Sequence, residues 1–77
     1  MTIKVLFFAS LSEQLGQRQT ELLWQAGQSV ADVWRLSTQR DLPATTLLAA
    51  RNQTYCDLQT LVADGDEIAF FPPVTGG

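Results

Sequence analysis

Two short runs, one near each end of the chain, are apolar at consecutive rather than alternate positions. In Ile3-Lys4-Val5-Leu6-Phe7-Phe8-Ala9 five residues are large and apolar, and in Glu67-Ile68-Ala69-Phe70-Phe71 only the first is polar. Side chains on both faces of such a strand seek cover, as in the centre of a sheet. Thr20-Glu21-Leu22-Leu23-Trp24 reads as a second strand returning antiparallel to the first, Leu47 to Arg51 as a third, and Tyr55-Cys56 as a short fourth. Between them the pattern turns helical. Ser10, with Glu13 three residues later, has the form of a capping box, and Gly16 closes a short helix over residues 10–15. Ser29 caps the main helix, with Asp32 at the third helical position. Val30, Val33, Trp34 and Leu36 fall on one broad face, and Asp32, Arg35 and Gln39 point away. Leu42-Pro43 is the predicted stop, because the residue before proline avoids helical geometry. Leu58 and Leu61 are expected to plug the core beneath a loop, and Asp64-Gly65 marks a turn.

Two doubly apolar strands want neighbouring places at the sheet centre, with the one long helix across one face. The predicted class is α+β, a mixed sheet of four to five strands with one main helix packed on one face, which is the layout of a β-grasp fold. Residues 1–71 form that domain, and residues 72–77 an extended tail. Of Phe70 and Phe71, strand alternation sends only one toward the helix.

Composition narrows the function. A chain of 77 residues buries only about 60% of the surface its unfolded form exposes, which leaves no room for a deep cavity. A carrier, a binding module or a small subunit is favoured. The net charge is −3 and the five cations are scattered, which argues against nucleic acid as a partner. Cys56 is the one cysteine and there is no histidine, so one chain can build neither a zinc site nor a Cys–His nucleophile. No metal site is expected: Asp64, Asp66 and Glu67 lack the ligand pattern of a calcium loop and read as the acidic rim of a turn. Cys56 is read as a small apolar filler rather than a persulfide carrier, and Trp24 and Trp34 as packing residues. No apolar run approaches the roughly 20 residues that span a bilayer, and the start carries no targeting pattern. The expected location is cytoplasmic, with no membrane contact.

The sequence ends Pro72-Pro73-Val74-Thr75-Gly76-Gly77. Two prolines supply no N–H donors and stop the ladder after Phe71. Val74 and Thr75 favour extended backbone, and the glycines have no side chains. A tip of this kind fits a narrow slot and sets its carboxylate beside a partner's catalytic group. Gly77 is therefore the residue expected to be chemically transformed. A carboxylate is a poor electrophile until ATP converts it to an acyl-adenylate. A sulfur donor then displaces AMP and leaves a terminal thiocarboxylate. Gly76 gives access, while Phe71, Pro72, Pro73, Val74 and Thr75 are the expected partner contacts.

The stretch Asp64-Gly65-Asp66-Glu67-Ile68-Ala69-Phe70-Phe71-Pro72-Pro73-Val74-Thr75-Gly76-Gly77 closely resembles the end of molybdopterin synthase small subunits, which are ubiquitin-like sulfur carriers. Ile3 to Ala9 resembles their first strand, and Asn52-Gln53 a turn they often carry. The resemblance implies that the chain is no enzyme alone but the sulfur-donating subunit of a sulfurtransferase complex. An adenylating enzyme related to ubiquitin activators would charge Gly77 using ATP and Mg, and a sulfurtransferase donor would complete the thiocarboxylate. A larger catalytic subunit would receive the tail, two of each chain forming a heterotetramer. There the carrier would sulfurate cyclic pyranopterin monophosphate to form the molybdopterin dithiolene in molybdenum cofactor biosynthesis. The chain itself would bind no cofactor. Two departures touch partner contact: Ser12 stands where many members have Arg, and Arg51 replaces a usually apolar residue. The alternatives are a sulfur carrier for thiamine or tRNA thiolation, a modifier joined to proteins through Gly77, and a non-covalent interaction module with an idle tail.

Overall fold

The computed structural model describes residues 1–43 and 47–72. Strands β1 (Thr2–Phe7), β2 (Gln19–Leu23), β3 (Leu48–Arg51), β4 (Thr54–Cys56) and β5 (Glu67–Phe71) form one sheet in the order β2-β1-β5-β3-β4. The helices are α1 (Ser10–Leu15) and α2 (Val30–Thr38). The two doubly apolar strands lie side by side as expected. β1 and β5 pair in parallel with Val5 opposite Ile68 and Phe7 opposite Phe70, while β1–β2, β5–β3 and β3–β4 are antiparallel. This is the β-grasp arrangement.

The core lies between the sheet and α2. Ile3, Val5, Ile68 and Phe70 from the central strands are fully buried with Val30 and Val33 of the helix. The Trp34 ring meets Phe70 edge-on at 5.1 Å and Phe7 at 6.2 Å. Its indole N–H donates to the Asp41 carbonyl, so the one polar atom of that ring is satisfied.

The start of α2 follows the sequence. The Ser29 hydroxyl accepts from the Asp32 N–H at 3.2 Å and the Asp32 carboxylate accepts from the Ser29 N–H at 3.0 Å, a complete capping box. Its end does not. The helix stops at Thr38 because Gln39 turns left-handed (φ 58°), four residues ahead of Pro43. Leu36 is exposed rather than on the buried face. At 100° per residue it lies about 200° from Trp34, which places it beside Asp32 on the solvent side.

Two other expectations are corrected. Ala9 caps α1, with no side-chain cap, and Ser10 is already inside the helix. Leu61 is exposed, and its neighbour Val62 takes the buried place. Leu61 pairs with Ser29 through an isolated bridge, and alternation then sends the next side chain, not Leu61 itself, inward. Arg51, which departs from a usually apolar position, shares the face of Ile68 and grips Asp66.

Candidate functional site

α2 covers only one face of the sheet, yet β1 and β5 are apolar on both. The residues one position along from the core therefore face the other way. Leu6 lies on β1 and Phe8 directly follows it, Ala69 and Phe71 lie on β5, and Ala50 and Tyr55 continue the row through β3 and β4. The register sets Leu6 opposite Ala69, Ala69 opposite Ala50, and Ala50 opposite Tyr55. The small alanines form a floor between larger walls, giving an open groove of about 350 Å³ that Gln53 and Glu67 bound at its polar end.

Three aromatic rings stand along this face. Phe8 stacks on Phe71 with centroids 4.9 Å apart and planes 9° from parallel, and Tyr55 tilts against Phe71 at 5.8 Å. Phe8 is 42% exposed and Tyr55 72% exposed. Exposed aromatics held rigidly by one another lose little conformational freedom on docking, the property that makes such residues interface anchors. Phe71 is the last residue of β5, and half-buried Pro72 follows it directly. The tail therefore begins beside the aromatic cluster and from a central strand.

Of the residues expected at the site, the structure brings Phe71 to the open face and Phe70 to the core, which settles their division. Pro72 lies at the edge of the same patch. Pro73, Val74, Thr75, Gly76 and Gly77 lie outside the described residues. Sequence reasoning missed Phe8, Tyr55, Leu6 and Ala69 as site residues. A signal was present: two central strands apolar on both faces, in a chain with one long helix, leave one apolar face without a cover of its own.

Lys4 sits between Glu21 and Glu67 in register across the sheet. The acidic turn is structural. Burial pushes the Asp66 carboxyl up, but hydrogen bonds from the Ala63 N–H, Arg51 and Asn52 outweigh it and hold the group below its usual range. With these partners Asp66 has no ligand role to spare, and no metal-binding cluster occurs among the described residues. The Cys56 thiol is pushed up by burial and by Asp57, against a hydrogen bond with Thr60 and the charge of Arg51. Cys56 is half-buried and packs against the core cluster, the setting of a small apolar filler. Among the described residues no helix is long and apolar enough to cross a membrane.

The ThiS family matches residues 5–77. The chain is 44% identical to the molybdopterin synthase sulfur carrier subunit of Escherichia coli strain K12, over 97% of this chain and 99% of that one. It is 40% identical, with the same coverage, to the protein of that name from Haemophilus influenzae. Among solved structures, SAMP1 of Haloferax volcanii, a small archaeal modifier protein, superposes with a TM-score of 0.78 at 26% identity, covering all of both chains. The fold also recurs, at a TM-score of 0.64, 23% identity and full coverage of both chains, in the protein–protein complex of subunits 1 and 2 of molybdopterin-converting factor from Helicobacter pylori. The chain belongs to the ThiS family, alongside the molybdopterin synthase sulfur carrier subunits.

Proposed function

We propose that this chain is the sulfur carrier subunit of a molybdopterin synthase and that the carboxylate of Gly77 is the group it carries chemistry on. The observation that carries the reading is the 44% identity, along nearly the whole of both chains, to a sulfur carrier subunit of that enzyme. The geometry supports it: the tail starts from a rigid central strand beside a patch of three exposed or half-buried aromatics. In this reading a carboxylate oxygen of Gly77 attacks the α-phosphate of ATP on an adenylating partner, and pyrophosphate leaves. Sulfide, or its equivalent from a donor protein, attacks the acyl carbon and AMP leaves, giving the thiocarboxylate. The open face docks on a larger subunit, which receives the tail and uses the sulfur on cyclic pyranopterin monophosphate. None of these steps asks this chain for an acid or base, which suits a sequence without histidine.

The test is the intact mass of the protein after incubation with ATP, Mg, the adenylating partner and sulfide, beside a chain lacking Gly77. The expected result is a gain equal to one oxygen replaced by sulfur, localised to Gly77 and absent from the control. An unchanged mass with an active partner overturns the reading. A second reading, a modifier joined through Gly77 to protein lysines, is favoured by the likeness to SAMP1. Isopeptide-linked adducts in place of the thiocarboxylate select it.

A further inference from the structure

The groove floored by the alanines has a neighbour. Leu6 and Phe8 form a ridge, and beyond it lies a second groove of about 540 Å³, with Ser12, Glu13, Arg18 and Gln19 on its walls. Gln19 lies opposite Leu6 in register, so this groove opens on the same face of the sheet as the aromatic patch. The Phe7 N–H donates to the Arg18 carbonyl at 2.8 Å, which fixes the Arg18 backbone beside the end of β1. Because β1 lies between β2 and β5, Arg18 and Phe71 stand on opposite sides of Phe8.

The arginines of the chain are not equivalent. Arg51 is held by Asp66, and Arg35 lies 3.6 Å from Asp32. Arg40 follows the end of α2, the helix on the other face. Arg18 is exposed, and among the described residues neither Arg18 nor Glu13 forms an ion pair. A guanidinium is a planar fork of donors, more weakly hydrated than an ammonium, and arginine is enriched at protein interfaces where glutamate is depleted. Of the two unpaired charges in the groove, Arg18 is the one suited to a partner, and its complement is a carboxylate. Ser12, on the same wall, brings no charge of its own.

We infer that the docking surface extends past the aromatic patch into this second groove, and that Arg18 steers a carboxylate of the larger subunit into place there. The inference rests on the proposed docking of the open face on that subunit. An exposed charge at the rim of an interface acts mainly on the rate of association and on its salt dependence. Arg18→Ala therefore slows association about three- to tenfold at low salt and leaves the thermal midpoint unchanged. Charges act over about 30 Å in about 0.01 M salt and over about 3 Å in about 1 M salt. The difference from wild type therefore vanishes at the higher concentration.

The experiment measures association and dissociation rates with the larger synthase subunit at both salt concentrations, and the thermal midpoint of each free chain. The chains are wild type, Arg18→Ala, Arg18→Lys, Arg40→Ala, and Arg18→Ala combined with Ser12→Arg. The expected result is slowed association at low salt for Arg18→Ala alone. Arg18→Lys and Arg40→Ala keep the wild-type rate, and Ser12→Arg recovers it by returning a cation to the same groove. Association of Arg18→Ala at the wild-type rate overturns the inference while leaving the docking reading intact. Equal slowing by Arg18→Ala and Arg40→Ala also overturns it, because net charge rather than this groove would then steer. A midpoint of Arg18→Ala that falls in step with binding overturns it as well, because Arg18 would then be an ordinary structural residue. Wild type that fails to bind the larger subunit overturns the docking reading, and this inference with it.

Discussion

The two faces of the central sheet are built from adjacent residues of the same two strands, yet they serve opposite ends. Phe7 and Phe70 face α2 and are 3% and 0% exposed. Phe8 and Phe71, one step along, stack on each other on the face that no element covers among the described residues. Both pairs are aromatic and nearly parallel, with planes 18° apart inside and 9° apart outside. Residue type does not distinguish them; parity along the strand does, because successive side chains point to opposite faces. The inner face is stabilised by what folding brings to it. The outer face keeps its aromatics exposed or half-buried among the described residues.

The sharpest way to break this contrast is to truncate one ring on each face. Phe70→Ala is expected to cost about 3–5 kcal/mol, a large share of the stability a chain of this size holds. Phe71→Ala and Phe8→Ala are expected to cost less than about 1.5 kcal/mol, while weakening binding to the larger subunit at least about tenfold. Urea unfolding and a binding titration read the two quantities. Equal destabilisation by Phe70→Ala and Phe71→Ala would remove the distinction between the faces.

Asp66 tests whether the end of the sheet remote from the tail is purely structural. Asp66→Asn is expected to cost about 2 kcal/mol, since hydrogen bonds from a charged donor and a backbone N–H are weakened together, with sulfur loading of Gly77 unchanged. The sign of the pH dependence follows from the folded carboxyl lying below the ordinary value of about 3.9. The unfolded chain takes the proton more readily. The stabilisation is therefore fully present above the unfolded value and is lost as pH falls through the folded one. Acid unfolding of wild type should steepen below about pH 4, and Asp66→Asn should flatten that region.

Smaller effects sharpen the inner face. Ser29→Ala removes one half of the capping box and should cost about 1 kcal/mol, with function retained. Gln28 is buried, and neither polar atom of its side chain has a hydrogen-bond partner among the described residues. Gln28→Leu should therefore stabilise the fold, by about 1 kcal/mol; a loss of stability on urea unfolding would mean that the amide has a partner after all.

Much of the fold was legible because its signals are local. The capping box at Ser29 and the strand bounds of Glu67–Phe71 depend on residues within one turn or one pleat, and both stand as read. The errors share a cause. The stop at Gln39 and the cap at Ala9 are backbone choices that no side-chain pattern announces. The role of Arg51 was not legible because its partner, Asp66, is fifteen residues away and meets it only through the β3–β5 pairing.

By itself the sequence determined the strands, the main helix, the placing of β1 beside β5, and the chemistry that a Gly-Gly carboxylate can support. These follow from periodicity and from functional groups, which are properties of the chain. Only the tertiary structure decided which of each aromatic pair is core and which is surface. It alone brought Phe8, Tyr55 and Phe71 together from three segments that are separated in sequence. The physical reason is that a face of a sheet exists only once strands are paired in register, and a cover is missing only once the one long helix has chosen the other side.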